Sequence, residues 1–176
     1  MADVTAQMVK ELRERTGAGI KECKDILIQT NGDMQAAVDA LREKGLKISD
    51  KVSGREAQDG RIEVYIHPGN RMVAMVELNC ETDFVARTED FIALSKDLAL
   101  HIAATNPRYI RAEDVPASEI EASGQPAEKY YEEVALLSQL FVKDGSQTIE
   151  DKIKAAVAKL RENIVVRRFV RYEIGG

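Results

Sequence analysis

The stretch Arg61-Ile62-Glu63-Val64-Tyr65-Ile66-His67-Pro68-Gly69-Asn70-Arg71-Met72-Val73-Ala74-Met75-Val76-Glu77-Leu78 decides the fold. Ile62, Val64 and Ile66 alternate with Glu63, Tyr65 and His67, the period of two that marks a half-buried strand. Pro68-Gly69-Asn70 supplies the fixed and left-handed backbone angles of a turn. The run 72–78 is then apolar on both faces at Val73, Ala74, Met75 and Val76. The pair reads as a β-hairpin whose second strand lies centrally in its sheet, with material packed above and below.

Upstream of the hairpin the period is helical. Thr5 is an N-cap, Val4 and Val9 are spaced for a hydrophobic staple, and Val4, Met8 and Leu12 recur every four residues before Gly17 stops the helix. A second helix, about 20–30, places Ile20, Cys23, Ile26 and Leu27 on one stripe and ends at Asn31-Gly32. Asp33 caps a third, which presents Ala37, Val38 and Leu41 and is expected to halt at Gly45. Such a three-helix unit is near the size at which a lone core becomes marginal. From about 46 to 60 the residues are mostly charged or small, which reads as a linker with room for some helix.

Downstream, Thr88 caps a helix carrying Phe91, Leu94, Leu98 and Ile102 on one face, and Asn106-Pro107 ends it. Pro126 opens a segment with Tyr130, Val134, Leu137 and Phe141 on a stripe, read as one helix. Thr148 and Asp151 have capping-box spacing ahead of Ile153, Val157 and Leu160. The run 164–174 is rich in Val, Ile, Phe and Tyr and reads as a strand returning to the sheet. Arg167 and Arg168 break its alternation, which predicts a bulge. The fold class is α+β, with a small antiparallel sheet of three or more strands packed by helices.

Composition narrows the function classes. The chain has 176 residues, 44% apolar but only 5% aromatic and without Trp, so its core is aliphatic. Its 25 Lys and Arg against 30 Asp and Glu leave a net charge of −5. That balance argues against direct nucleic-acid binding, which draws on a basic face to release counterions. Arg167, Arg168 and Arg171 read as the solvated side of a strand. No stretch approaches the length of a membrane span, and the opening Met1-Ala2-Asp3-Val4-Thr5 lacks the pattern of a leader, so the expected location is the cytoplasm. Cys23 and Cys80 lie far apart and read as buried thiols.

Little in the chain converges toward catalysis. His67 stands at the hairpin turn and His101 on a helix, neither in a metal or nucleophile motif, and both read as surface or partly buried residues. Gly17-Ala18-Gly19 begins like a dinucleotide fingerprint, but Glu22 occupies the third glycine position and a helix precedes it. No Walker-type lysine follows a glycine loop. The expectation is no catalytic residue, no cofactor and no metal.

One segment stands apart: Glu77-Leu78-Asn79-Cys80-Glu81-Thr82-Asp83-Phe84-Val85-Ala86-Arg87. It runs from the end of the central strand to the cap at Thr88, so Thr82, Asp83 and Phe84 occupy a short connection, where function concentrates. Phe84 has two readings of equal weight here. It is an interface side chain able to act as a binding hot spot, or it folds back onto the 88–105 helix as a core plug.

This segment resembles the signature of the elongation factor Ts family, guanine-nucleotide exchange factors for elongation factor Tu in bacterial and organellar translation. Leu12-Arg13-Glu14-Arg15-Thr16-Gly17-Ala18-Gly19-Ile20, with Cys23-Lys24 and Asn31-Gly32-Asp33, is similar to the family's N-terminal signature. Phe141-Val142-Lys143-Asp144 and Arg168-Phe169-Val170-Arg171-Tyr172-Glu173 resemble the closing segments of its short members. Asp25-Ile26 departs from a common Lys-Ala. The resemblance implies a three-helix domain at 1–46 similar to ubiquitin-associated domains, a linker at 47–60, and an α+β dimerisation core at 61–176. It implies that Thr82, Asp83, Phe84 and Val85 form the exchange loop, with Phe84 wedging between helices of elongation factor Tu near its bound magnesium and Asp83 engaging polar groups there. Leu12, Arg13 and Ile20 are weaker contact candidates from the N-terminal unit. Short members pair, which implies a homodimer, with the 126–162 region and the 164–174 strand as interface candidates.

Two other readings stand beside this one. The first is a non-enzymatic adaptor whose three-helix unit binds ubiquitin-like or ribosomal surfaces. The second is a small hydrolase with Cys80 as nucleophile and His67 or His101 as base, for which the end of an apolar strand stabilises a thiolate poorly.

Overall fold

The structure, a computed structural model, describes residues 4–175. Met1, Ala2 and Asp3, read above for a leader, lie outside the described residues. The protein is mixed helix and sheet, α+β as expected, and divides into two compact units.

The first unit takes the chain as far as Arg55 together with Lys154–Asn163. Its helices are α1 (Ala6–Thr16), α2 (Ile20–Gln29) and α3 (Met34–Val52). Their starts follow the expected caps: Thr5 Oγ1 accepts from the Met8 N–H at 3.2 Å and Asp33 Oδ1 from the Ala36 N–H at 3.0 Å. Val9, Leu12, Cys23, Ile26, Leu27, Ala37 and Leu41 form the core, with Val4 and Met8 packed against it. Ile20, expected on the buried stripe of α2, is exposed at its first position.

The third helix does not halt at Gly45. It continues to Val52, so residues 47–52 of the expected linker are helical. Gly45 is buried, and a Cβ there would lie 3.2 Å from the Ala158 Cβ. The glycine is present for close approach between helices, a gain that outweighs its intrinsic helix cost of about 1 kcal/mol. The segment past Val52 is tied down by Asn163, whose amide donates to the Arg55 carbonyl at 2.6 Å and the Ser53 carbonyl at 3.3 Å.

The second unit, Glu56–Ile153 with Ile164–Gly176, holds the sheet. Its elements are β1 (Asp59–Ile66), β2 (Met72–Cys80), α4 (Asp83–Ala86), α5 (Glu89–Thr105), α6 (Ala117–Ser123), α7 (Ala127–Val134), β3 (Leu140–Phe141), β4 (Asp144–Thr148), α8 (Ile149–Leu160) and β5 (Val165–Glu173). Helix α8 starts in this unit, and its capping box closes as expected: Thr148 Oγ1 accepts from the Asp151 N–H and Asp151 Oδ2 from the Thr148 N–H. The sheet order is β1-β2-β5, all antiparallel, so β2 is the central strand. Glu77 pairs with Arg168 and Leu78 with Val166, which leaves Arg167 as the bulged residue.

Helix α5 covers one side of the sheet, where Ala74, Val76 and Leu78 are buried with Phe91, Leu94, Leu98 and Ile102. The other side corrects the expectation of cover on both faces. Ile62, Val64, Ile66, Met75 and Tyr172 all stand exposed there, Met75 at 40%. Strand β2 is apolar on both faces, yet among the described residues only one face is covered.

The helix expected to run from Pro126 through Phe141 is also shorter. Helix α7 stops at Val134, because the Val134 carbonyl accepts from the N–H groups of Arg108 and Tyr109 at 2.8 and 3.0 Å, and the Leu136 N–H donates back to the Tyr109 carbonyl. Bonds to a distant segment replace the next helical turn. Leu137 then lies in a tight 3-10 turn, and Phe141 reaches its buried position from β3, paired with β4.

Candidate functional site

The end of β2 is fixed before the loop begins. Cys80 is fully buried, and its Sγ donates to the Thr82 carbonyl at 3.2 Å. Thr82 is extended, and its hydroxyl accepts from the Val85 N–H at 3.3 Å. A threonine in this conformation satisfies one of the free donors that open a helix, and so starts the turn α4.

That turn has two sides. Val85 and Ala86 are buried at 5% and 6% exposure, whereas Phe84 is 76% exposed. The ring does not plug the core, whereas its two neighbours Val85 and Ala86 are turned away from solvent. Asp83 Oδ2 pairs with the Arg87 guanidinium at 2.8 Å across one turn, both side chains mostly in solvent, an arrangement worth a few tenths of a kcal/mol. Thr82, Asp83, Phe84 and Val85 are thus one continuous feature: a cap, an acid, an outward ring and an inward anchor. The short helix itself was not foreseen, since four residues carry no periodicity.

The N-terminal candidates separate. Leu12 is fully buried at the centre of the three-helix core, which corrects its place among surface contacts: its side chain holds α1 to α2 and α3. Arg13 is exposed on α1, and Ile20 is 61% exposed at the start of α2. Ile28, two helical turns beyond Ile20, is likewise exposed. Its spacing from Ile20 was the available signal, and the stripe drawn through Ile26 and Leu27 concealed it.

Of the residues weighed for catalysis, Cys80 and His101 are buried and His67 is exposed. Cys23 is buried, and burial pushes its thiol pKa up. His67 lies exposed at the hairpin turn, its Nδ1 3.1 Å from the Tyr65 hydroxyl. His101, read as a surface or partly buried residue, is fully buried. Its Nε2 is bonded to Gln139 Oε1 at 3.0 Å, its Nδ1 accepts from the Val142 N–H at 3.2 Å, and burial draws its pKa below the usual imidazole value. Among the described residues no group of three or more His, Cys, Asp or Glu is placed to hold a metal ion, and no helix is long and apolar enough to cross a membrane.

An α+β protein that ends its central strand in a capped turn carrying an outward phenylalanine matches a known sequence family. The profile described as "Elongation factor TS" matches residues 2–128 and 124–176. The chain belongs to the elongation factor Ts family. The elongation factor Ts of Herpetosiphon aurantiacus is 55% identical across 98% of both chains. That of Heliobacterium modesticaldum is 50% identical, over 98% of this chain and 90% of the relative. That of Caldanaerobacter subterraneus is 47% identical, over 98% and 97%.

Proposed function

We propose that the protein is a guanine-nucleotide exchange factor that releases GDP from elongation factor Tu during translation elongation, and that the Thr82-Asp83-Phe84-Val85 turn is the element that does so. The observation that carries this reading is the exposed Phe84 ring standing on a turn anchored by Val85 and Ala86. A large flat ring presented on a fixed backbone enters a partner pocket at little entropic cost. Phe84 wedges between helices of the partner near its bound magnesium, and Asp83 engages polar groups there. Magnesium bridges nucleotide phosphates and protein ligands, so disturbing its shell weakens GDP binding while no covalent bond changes. In that sense the protein is not an enzyme. Coupling is reciprocal: the factor lowers nucleotide affinity by the ratio in which nucleotide lowers affinity for the factor, so incoming GTP expels it.

The N-terminal helices, similar to ubiquitin-associated domains, dock on the partner's nucleotide domain through Arg13 and Ile20, with Leu12 setting the helix that carries Arg13. The protein works in the cytoplasm as a homodimer, without direct nucleic-acid contact. Support for pairing comes from the open side of the sheet, where Ile62, Val64, Ile66, Met75 and Tyr172 are exposed together, an apolar surface of the kind monomers seldom leave in water.

Stopped-flow release of labelled GDP from elongation factor Tu tests the reading. Phe84→Ala slows release by the equivalent of roughly 1 to 4 kcal/mol while the melting temperature holds, as truncation of an exposed hot spot does. Unchanged release would refute the role given to the ring.

A further inference from the structure

The geometry points to Thr88 as a positioning residue for nucleotide exchange: its hydroxyl ties the turn that carries Phe84 to the first turn of α5, so that the ring is held ready before the partner arrives. The inference rests on the reading of Phe84 as the wedge and extends it to a residue outside the exchange turn.

A single helical turn has almost no stability of its own, because several backbone angles are fixed for very few hydrogen bonds. In α4 those bonds are long: the Ala86 N–H donates to the Thr82 carbonyl at 3.2 Å and the Arg87 N–H to the Phe84 carbonyl at 3.3 Å. The order of the turn therefore comes from its two ends and from the burial of Val85 and Ala86. At the N-terminal end stands Thr82. At the other, Thr88 makes the shorter contacts: its N–H reaches the Val85 carbonyl at 3.0 Å and its hydroxyl donates to the same oxygen at 2.8 Å. A hydroxyl donates once and still accepts. The Thr88 oxygen also accepts from the Phe91 N–H at 3.3 Å. Phe91 is fully buried. A continuous path thus runs from Val85, beside the exposed ring, through one hydroxyl to a backbone fixed by the core. The Asp83–Arg87 pair, solvated on both sides, adds little to this restraint.

A ring ordered in advance avoids the immobilisation cost that a wandering one meets on docking. Thr88→Val keeps the shape of the side chain and its extended backbone while removing both hydroxyl bonds. Thr88→Ser keeps the bonds. In stopped-flow release of labelled GDP from elongation factor Tu, Thr88→Val is expected to slow release about three- to tenfold, the rate equivalent of a lost cap, and Thr88→Ser to restore it. Thr148→Val removes the corresponding cap of α8 and is expected to leave release at the wild-type rate. Amide hydrogen exchange supplies a readout independent of the partner: Val85, Ala86 and Arg87 lose protection in Thr88→Val while Leu98 and Ile102 keep theirs. Phe84→Ala is run alongside. If Phe84→Ala slows release and Thr88→Val does not, the role of Thr88 is overturned while the wedge stands. If Phe84→Ala releases GDP at the wild-type rate, the wedge falls and Thr88 with it. If Thr148→Val slows release as much as Thr88→Val, the effect is general loss of stability and the inference is overturned.

Discussion

The backbone N–H of Val142 donates to Nδ1 of His101 at 3.2 Å, across 41 positions of chain. Because Nδ1 accepts, the proton of the neutral ring sits on Nε2, which donates to Gln139 Oε1 at 3.0 Å. Gln139 Oε1 also receives the Thr105 hydroxyl at 2.9 Å, and the Gln139 amide donates to the Glu133 carbonyl. A neutral histidine thus fastens α5 to the strand pair β3 and β4. Protonating the ring would set a second N–H against the Val142 N–H at a fully buried position.

A stability profile follows from that proton. Burial holds the His101 pKa below its ordinary value near 6.5, so the unfolded chain takes up a proton at a pH where the native protein does not. The contribution is whole above about pH 6.5 and declines as pH falls toward the native value, with a slope of at most about 1.4 kcal/mol per pH unit. Asp97 acts in a lower window: burial opposes its charge, but bonds from Lys143 and Lys152 hold its carboxyl below the usual carboxylate range. Urea unfolding between pH 5 and 7 should therefore show weakening that His101→Gln, itself less stable at pH 7, largely lacks. Equal pH slopes for the two proteins would reject this account.

Gly60 yields a sharper structural test. Its φ is +146°, and a Cβ built there would lie 2.2 Å from the Leu78 carbonyl oxygen and 2.8 Å from the Asn79 Cα. Both obstacles are backbone of the central strand and unable to swing aside. Gly60→Ala should cost about 2 to 4 kcal/mol, from strained angles and overpacking together, read as a lower urea midpoint. Because Asn79 and Cys80 lead into the exchange turn, the variant should also slow GDP release once part of β1 detaches. An unfolding free energy within about 0.5 kcal/mol of wild type, the spread of neutral surface changes, would show that β1 shifts to make room.

What could be read beforehand was what neighbours in sequence decide. Thr5, Asp33, Thr88 and Thr148 all cap helices because a cap needs only the next three residues. The bulge at Arg167 was visible as a break in alternation, and the loop at Thr82 as the gap between a strand and a cap. The misreadings share another cause. Gly45 continues its helix because of Ala158, Val134 ends one because of Arg108 and Tyr109, and His101 is buried because of Gln139 and Val142. Each depends on a partner far along the chain, which local propensity does not contain. For Phe84 the sequence located the residue, and only the structure showed which way its ring points.

The open side of the sheet leads to the last prediction. Val64 pairs with Met75 and Met75 with Val170 in register, so their side chains form a cross-strand row on the face away from α5. Val64 and Met75 are 47% and 40% exposed, an apolar row left in water on the open face of the sheet. If this row is the seat of the homodimer, a carboxylate at its centre is tolerated by the isolated chain but costly when buried against a second copy. Val64→Glu should then fold with a melting temperature near wild type at high dilution, yet run as a 19.6 kDa monomer where the wild type scatters light at twice that mass. GDP release by the variant, measured at equal protomer concentration, reports whether one copy completes the task of the other. A wild-type chain that is monomeric at working concentration, or a Val64→Glu protein that still pairs, would place this face outside the interface.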